Sequence, residues 1–144
     1  MAGWRDAVSD EAQDDLDELT EAAVDFALRQ LDANAGFVPF ALAVGAAGDK
    51  QVIQPNYPPD TDPDATEQLE AQWDAVGEVK GALRAVAVAV DVVLPEKGTD
   101  AIELVVEHRE GIAIGMVFPY HREAGGEHEA ESPSAHSVAR RVWV

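Results

Sequence analysis

The chain contains no cysteine, which excludes disulfides, thiolate metal sites and cysteine nucleophiles. Basic residues are scarce: 10 Lys and Arg stand against 28 Asp and Glu, a formal net charge of −18. Only three of the cations, Lys50, Lys80 and Lys97, are lysine. A phosphate backbone demands clustered cations, and an anionic membrane surface repels such a chain. Neither nucleic acid nor membrane is therefore an expected partner. Long apolar runs are missing as well. The longest, Leu83 to Leu94, contains Arg84 and Asp91 and is too short to span a bilayer. Met1 to Gln13 lacks the basic and apolar regions of a secretory signal, so the expected compartment is the cytoplasm. Serine is rare in the apolar segments, and no phosphate loop, nucleophile elbow or HExxH motif occurs. No cofactor and no catalytic residue is assigned.

What remains is a chain of 144 residues with 47% hydrophobic content, enough for one cored domain spanning residues 1–144. Many acids, few lysines and much alanine are expected from a high-salt cytoplasm and from a GC-rich genome alike. Self-repulsion should weaken the fold at low ionic strength.

Asp10 to Asn34 reads as a helix, with Asp10 as cap and Gln13 completing a capping box. Leu16, Leu19, Ala23, Phe26 and Ala27 recur at helical spacing. Residues 1–34 hold ten acids and two bases, so the outer face of this helix is acidic. Phe37 to Gly45 reads as a strand and Lys50 to Gln54 as a second. The proline-rich stretch Gln54 to Pro63 follows as a stiff loop. A second helix is expected to start at Asp62-Pro63, bury Leu69, Trp73 and Val76, and end at Gly81.

From Leu83 to Tyr120 the residues alternate with a period of two, the signature of strands with unlike faces. Val86, Val88, Val90 and Val92 interleave with Ala85, Ala87, Ala89 and Asp91. Ile102, Leu104 and Val106 form a second row, and Ile112, Ile114, Met116 and Phe118 a third. A three-residue loop, Arg109-Glu110-Gly111, pairs Val106 with Ile114 and Leu104 with Met116, keeping the bulky residues together. Gly111 then occupies the left-handed position. Residues 121–136 read as a polar surface loop and 137–144 as a docked, strand-like tail. The expected fold is α+β: two helices on a mainly antiparallel five-stranded sheet, α-β-β-α-β-β-β, in order 2-1-5-4-3. That strand order places Pro39 and Pro119 at one end of the sheet. The element order is similar to that of the profilin and roadblock architectures.

Four candidate sites emerge. Ala41, Ala43, Ala85, Ala87, Ala89, Ala113 and Gly115 are expected to form a small-residue sheet face, covered by the chain's own elements, by a second copy, or by a small ligand. Trp143 of the tail is one candidate cover. Asp91, Glu103 and Glu107 are expected on that same face, where paired carboxylates either perform acid–base chemistry or keep the face solvated. His121, His128 and His136 share a segment with Glu123, Glu127 and Glu129, a weak metal-ligand spacing in which His121 and His128 lead. Asn56-Tyr57-Pro58-Pro59 is expected to serve as a rigid connection between strand and helix, or else to present Tyr57 to a partner or over a pocket.

Phe37-Val38-Pro39-Phe40-Ala41, Val90-Asp91-Val92, Asp100-Ala101-Ile102, Glu107-His108-Arg109-Glu110-Gly111 and Pro119-Tyr120 together resemble a pattern in small bacterial proteins that carry no assigned function. The resemblance spans Phe37 to Tyr120 and implies a shared fold without an activity. The expected function is a non-enzymatic binding or regulatory module that forms a homodimer. The alternatives are a small-molecule binder or enzyme using the small-residue face, and an acidic, immunity-like inhibitor of a basic protein.

Overall fold

The computed structural model describes residues 3–34, 36–55, 57, 60–96 and 98–144. The elements are α1 (Gly3–Asp6), α2 (Asp10–Ala33), β1 (Phe40–Gly45), β2 (Lys50–Ile53), α3 (Ala65–Val79), a 3₁₀ turn (Lys80–Ala82), β3 (Leu83–Leu94), β4 (Thr99–His108), β5 (Ile112–Arg122), β6 (His128–Ala130) and β7 (Ser134–Ser137). The class is α+β, and every strand pair is antiparallel. No helix among the described residues is long and apolar enough to cross a membrane.

The caps of the two long helices lie one and two residues from the expected ones. Ser9, not Asp10, caps α2: its hydroxyl accepts the Ala12 N–H at 3.1 Å. Gln13 instead donates to the Arg5 carbonyl. Asp64, not Asp62, caps α3. Its carboxylate accepts the Glu67 N–H at 2.8 Å while the Glu67 carboxylate accepts the Asp64 N–H at 3.2 Å. That reciprocal pair satisfies two otherwise orphaned donors, which a proline at the first turn cannot match. Ala35, just past the expected end of the first helix, and Asn56, Pro58 and Pro59 of the expected proline loop lie outside the described residues.

Among the described residues the sheet has seven strands rather than five, in order β2-β1-β3-β4-β5-β6, with β7 also on β5. The expected order 2-1-5-4-3 is wrong because the prolines impose no adjacency. Pro39 precedes β1 altogether. Pro119 sits where the outer partner of β5 changes from β7 to β6, and its carbonyl accepts the Glu131 N–H at 2.7 Å. An edge position of that kind tolerates a missing donor. Residues 121–137 contribute the end of β5, β6 and β7. These pieces are short and largely exposed, so they carry no alternation to read.

The β4–β5 hairpin pairs Val106 with Ile114, Leu104 with Met116 and Ile102 with Phe118. Gly111 closes it at φ +107°, as the register demands. The β3–β4 register does not follow the expected sorting. Ala87 faces Val106 and Ala89 faces Leu104, so the β3 alanines share a face with the bulky rows of β4 and β5. This first face is covered by α2, whose Leu16, Leu19, Ala23, Ala27 and Leu31 join Phe40, Ala85, Ala87, Ala89, Leu104 and Phe118 in one buried cluster. Small residues on the central strand let the helix sit close, while larger ones on either side cradle it. The second face carries Ala41, Ala43, Val86 and Val88 under Trp73 and Val76 of α3, with Val142 of the tail. The expected all-small face therefore does not exist.

Candidate functional site

The three carboxylates expected together are separated. Asp91 lies on the first face, because β3 alternates against β4 with Asp91 opposite Ile102. There it accepts the Tyr120 hydroxyl at 2.7 Å. Burial, and then the adjacent Asp91 carboxylate, push the Tyr120 phenol well above its ordinary pKa.

Glu107 lies on the second face and is fully buried. Its carboxylate accepts three successive backbone N–H groups of the tail. Arg141 donates to Oε1 at 2.9 Å, Val142 to Oε2 at 3.0 Å and Trp143 to Oε2 at 2.8 Å. The Lys80 ammonium holds the Val142 carbonyl at 3.3 Å, and the Arg141 guanidinium stacks 4.4 Å from the Trp73 ring centre. Gly115 gives the tail room: a Cβ there would meet His136 at 2.5 Å and Val138 at 2.9 Å. Residues 138–144 form no strand; a buried carboxylate fixes them instead.

A second polar cluster ties α2 to the sheet. Asp15 accepts from Arg84 Nε and Nη2, both at 2.9 Å, and its Oδ2 lies 3.0 Å from His108 Nε2. The Glu110 N–H donates to His108 Nδ1 at 3.1 Å, which leaves the ring proton on Nε2, facing Asp15. Glu110 in turn accepts the Ser9 N–H at 2.9 Å and the Ser9 hydroxyl, and these bonds hold its carboxyl below the usual carboxylate range. His108 is buried, and this His–Asp–Arg group clasps α2 to β3 and β4. Asp15 is not singled out by the sequence reading among the ten acids of residues 1–34. The available signal was its spacing: it stands three residues after Ala12 and four before Leu19, on the buried stripe.

The histidines also part. His128 pairs with Asp32, through its N–H at 2.7 Å and Nδ1 at 2.8 Å, and meets Tyr120 edge-on. His121 instead gathers with Glu123 and Glu129, with one ligand atom from each within 4.8 Å of the others. All three are exposed. A hydrogen bond between the two carboxyls lowers the pKa of Glu123 and raises that of Glu129, and Glu123 raises that of His121.

Glu103, by contrast, opens onto a cavity. A groove of about 280 Å³ runs between α3 and the tail. Its floor is Val88, Val90 and Val105, its walls are Trp73 and Val138, and Glu103 and Arg141 are its only charged groups among the described residues. Beyond it, Val92 and Val117 remain half-buried on the same face. Trp143 is half-buried and packs against the second-face cluster, whereas Tyr57 is exposed beside the opposite sheet edge. No protein-family model, curated protein or solved structure matches this chain.

Proposed function

We propose that this chain is a non-enzymatic binding module that associates with a second copy through the open outer half of the second sheet face. One observation carries the reading: α3 and the tail cover the inner half of that face and leave a valine-lined groove between them. Half-buried apolar side chains left uncovered in this way gain from burial against a partner. The groups with acid–base chemistry support the non-catalytic part, since Asp91, Glu107, Asp15 and His108 are each bound to internal partners. Glu103 and Arg141 favour a second reading of the groove, in which it takes a small amphiphilic ligand.

Two copies each of net charge −18 repel one another, so association should strengthen as salt screens them. Sedimentation equilibrium across protein concentration, in low and in molar salt, tests the proposal. The expected result is a dimer favoured by salt and abolished by Val90→Arg. A monomer at the highest concentration in molar salt defeats it, as does a Val90→Arg dimer of undiminished stability.

A further inference from the structure

The opposite edge of the sheet carries a separate feature. β2 is the terminal strand. Gly45 N donates to Asp49 O at 2.7 Å, which makes that pair a hydrogen-bonded one. Alternation along the β1–β2 ladder then makes Gln51 and Ile53 bond inward to β1 and leaves Lys50 and Val52 with N–H and C=O directed outward. Val52 is 55% exposed in the middle of this edge. Sheet edges are usually blunted by charge, proline or a covering element. Lys50 supplies a charge, but it is drawn to Glu18 at 2.7 Å.

A groove flanks the edge on each side. On the α3 side a groove of about 460 Å³ is lined by Ile53, Ala71, Ala75 and Val79, with Asp74 and Glu78 as its only charged residues among those described. These two acids stand one turn apart on α3, which holds four acids and no base. On the α2 side a groove of about 430 Å³ is lined by Phe26, Phe37, Phe40 and Tyr57 and, among the described residues, contains no charged one. An extended strand placed on β2 sends alternate side chains to opposite faces. One set would enter the acidic groove and the other the aromatic groove.

We infer that the β2 edge is a docking site for an extended peptide whose side chains alternate basic and apolar. Main-chain bonds to Lys50 and Val52 supply the pairing. Asp74 and Glu78 select the cations, and Phe26, Phe37 and Tyr57 take the apolar residues. The site is distinct from the self-association face and stands whether or not that face forms a dimer.

The test is amide NMR of the full ¹⁵N-labelled chain at physiological salt, titrated with a capped hexapeptide, Lys-Val-Lys-Phe-Lys-Val. The expected result is saturable binding with slowed hydrogen exchange at the Lys50 and Val52 amides. Three changes should each weaken it about tenfold or more. One is N-methylation of the peptide amides that face β2, which leaves its charge intact. Another is a block sequence of the same composition, Lys-Lys-Lys-Val-Phe-Val. The third is the double substitution Asp74→Lys and Glu78→Lys. Equal binding of the parent, N-methylated and block peptides would overturn the inference, because attraction to the acidic surface at large then explains everything. So would the absence of any binding, or protection of Lys50 and Val52 that grows with protein concentration without peptide, which would assign the edge to a second copy.

Discussion

The two layers that cover the sheet are made differently. The first is a single 24-residue helix, α2, laid across alanines of β3 and closed at its N-terminal end by the Asp15–Arg84–His108 clasp. The second is assembled from α3 and an irregular tail, and a groove runs along the seam between them. A lone helix with a continuous apolar stripe covers its own width without a gap. Two separate pieces leave whatever lies between them open. Each layer nevertheless depends on one buried carboxylate, Asp15 in the first and Glu107 in the second. Their partners differ: side-chain cations and an imidazole for Asp15, backbone amides for Glu107.

The largest expected effect comes from breaking the first layer. Asp15→Ala leaves the Arg84 guanidinium, whose side chain is 17% exposed, without its bidentate partner, and leaves the buried His108 proton unpaired. Removing one member of a buried ion pair costs about 3 kcal/mol or more. Urea unfolding monitored by circular dichroism should show that loss as a lower midpoint with an unchanged slope. A cost below about 1 kcal/mol would mean that the clasp is replaceable by water and that apolar packing alone seats α2.

Glu107→Gln sharpens the contrast. The amide retains one acceptor but turns an NH₂ toward backbone donors that the carboxylate now accepts from Arg141, Val142 and Trp143. An unsatisfied buried donor costs about 1–3 kcal/mol. The second layer should yield first. Hydrogen exchange at the amides of Val142 and Trp143 should accelerate while those of α2 keep their protection. Loss of protection in both layers together would show that they form one cooperative unit, contrary to the separation drawn from their construction.

Much of this architecture was legible in the chain. Period-two alternation located β3, β4 and β5, and the mismatch of Glu107 with Ile114 and of Glu103 with Phe118 that a two-residue loop would impose set the three-residue turn at Gly111. The alternation could not say which face of β3 joins which face of β4, because a slip of one residue exchanges them all. Valine and alanine both fit a pleated strand, so the bulky row of β3 was assigned to the wrong layer. Seating α2 on the alanines is a tertiary choice, made by the helix rather than by the strand. Glu107 was noticed as a carboxylate at a strand position, but its partners are backbone amides 34 to 36 residues away that any sequence supplies. Asp15 was hidden by the acidity around it. On a helix with ten acids in its neighbourhood, only spacing distinguishes the one that is buried.

The smallest effect separates the layers by pH. The Tyr120 hydroxyl, on the α2 side, donates to Asp91, and its pKa is raised first by burial and then by that carboxylate. A group whose folded pKa is raised stabilises fully below its unfolded value, about 10 for tyrosine, and loses that contribution as pH climbs through the folded one. Above about pH 10 the unfolded chain binds fewer protons than the folded chain, so stability falls, by at most about 1.4 kcal/mol per pH unit for this one group. Other groups titrate in the same range, so the informative quantity is the difference between wild type and Tyr120→Phe. That difference should be constant from neutral pH to about pH 10 and shrink above it, as the wild type loses what the variant never had. The combination of Tyr120→Phe with Glu107→Gln should be additive, since the two sites lie on opposite faces of the sheet. A coupling well above about 0.5 kcal/mol would show that the first and second layers communicate through β4, which carries Glu107 on one face and packs its Ile102 beside Asp91 on the other.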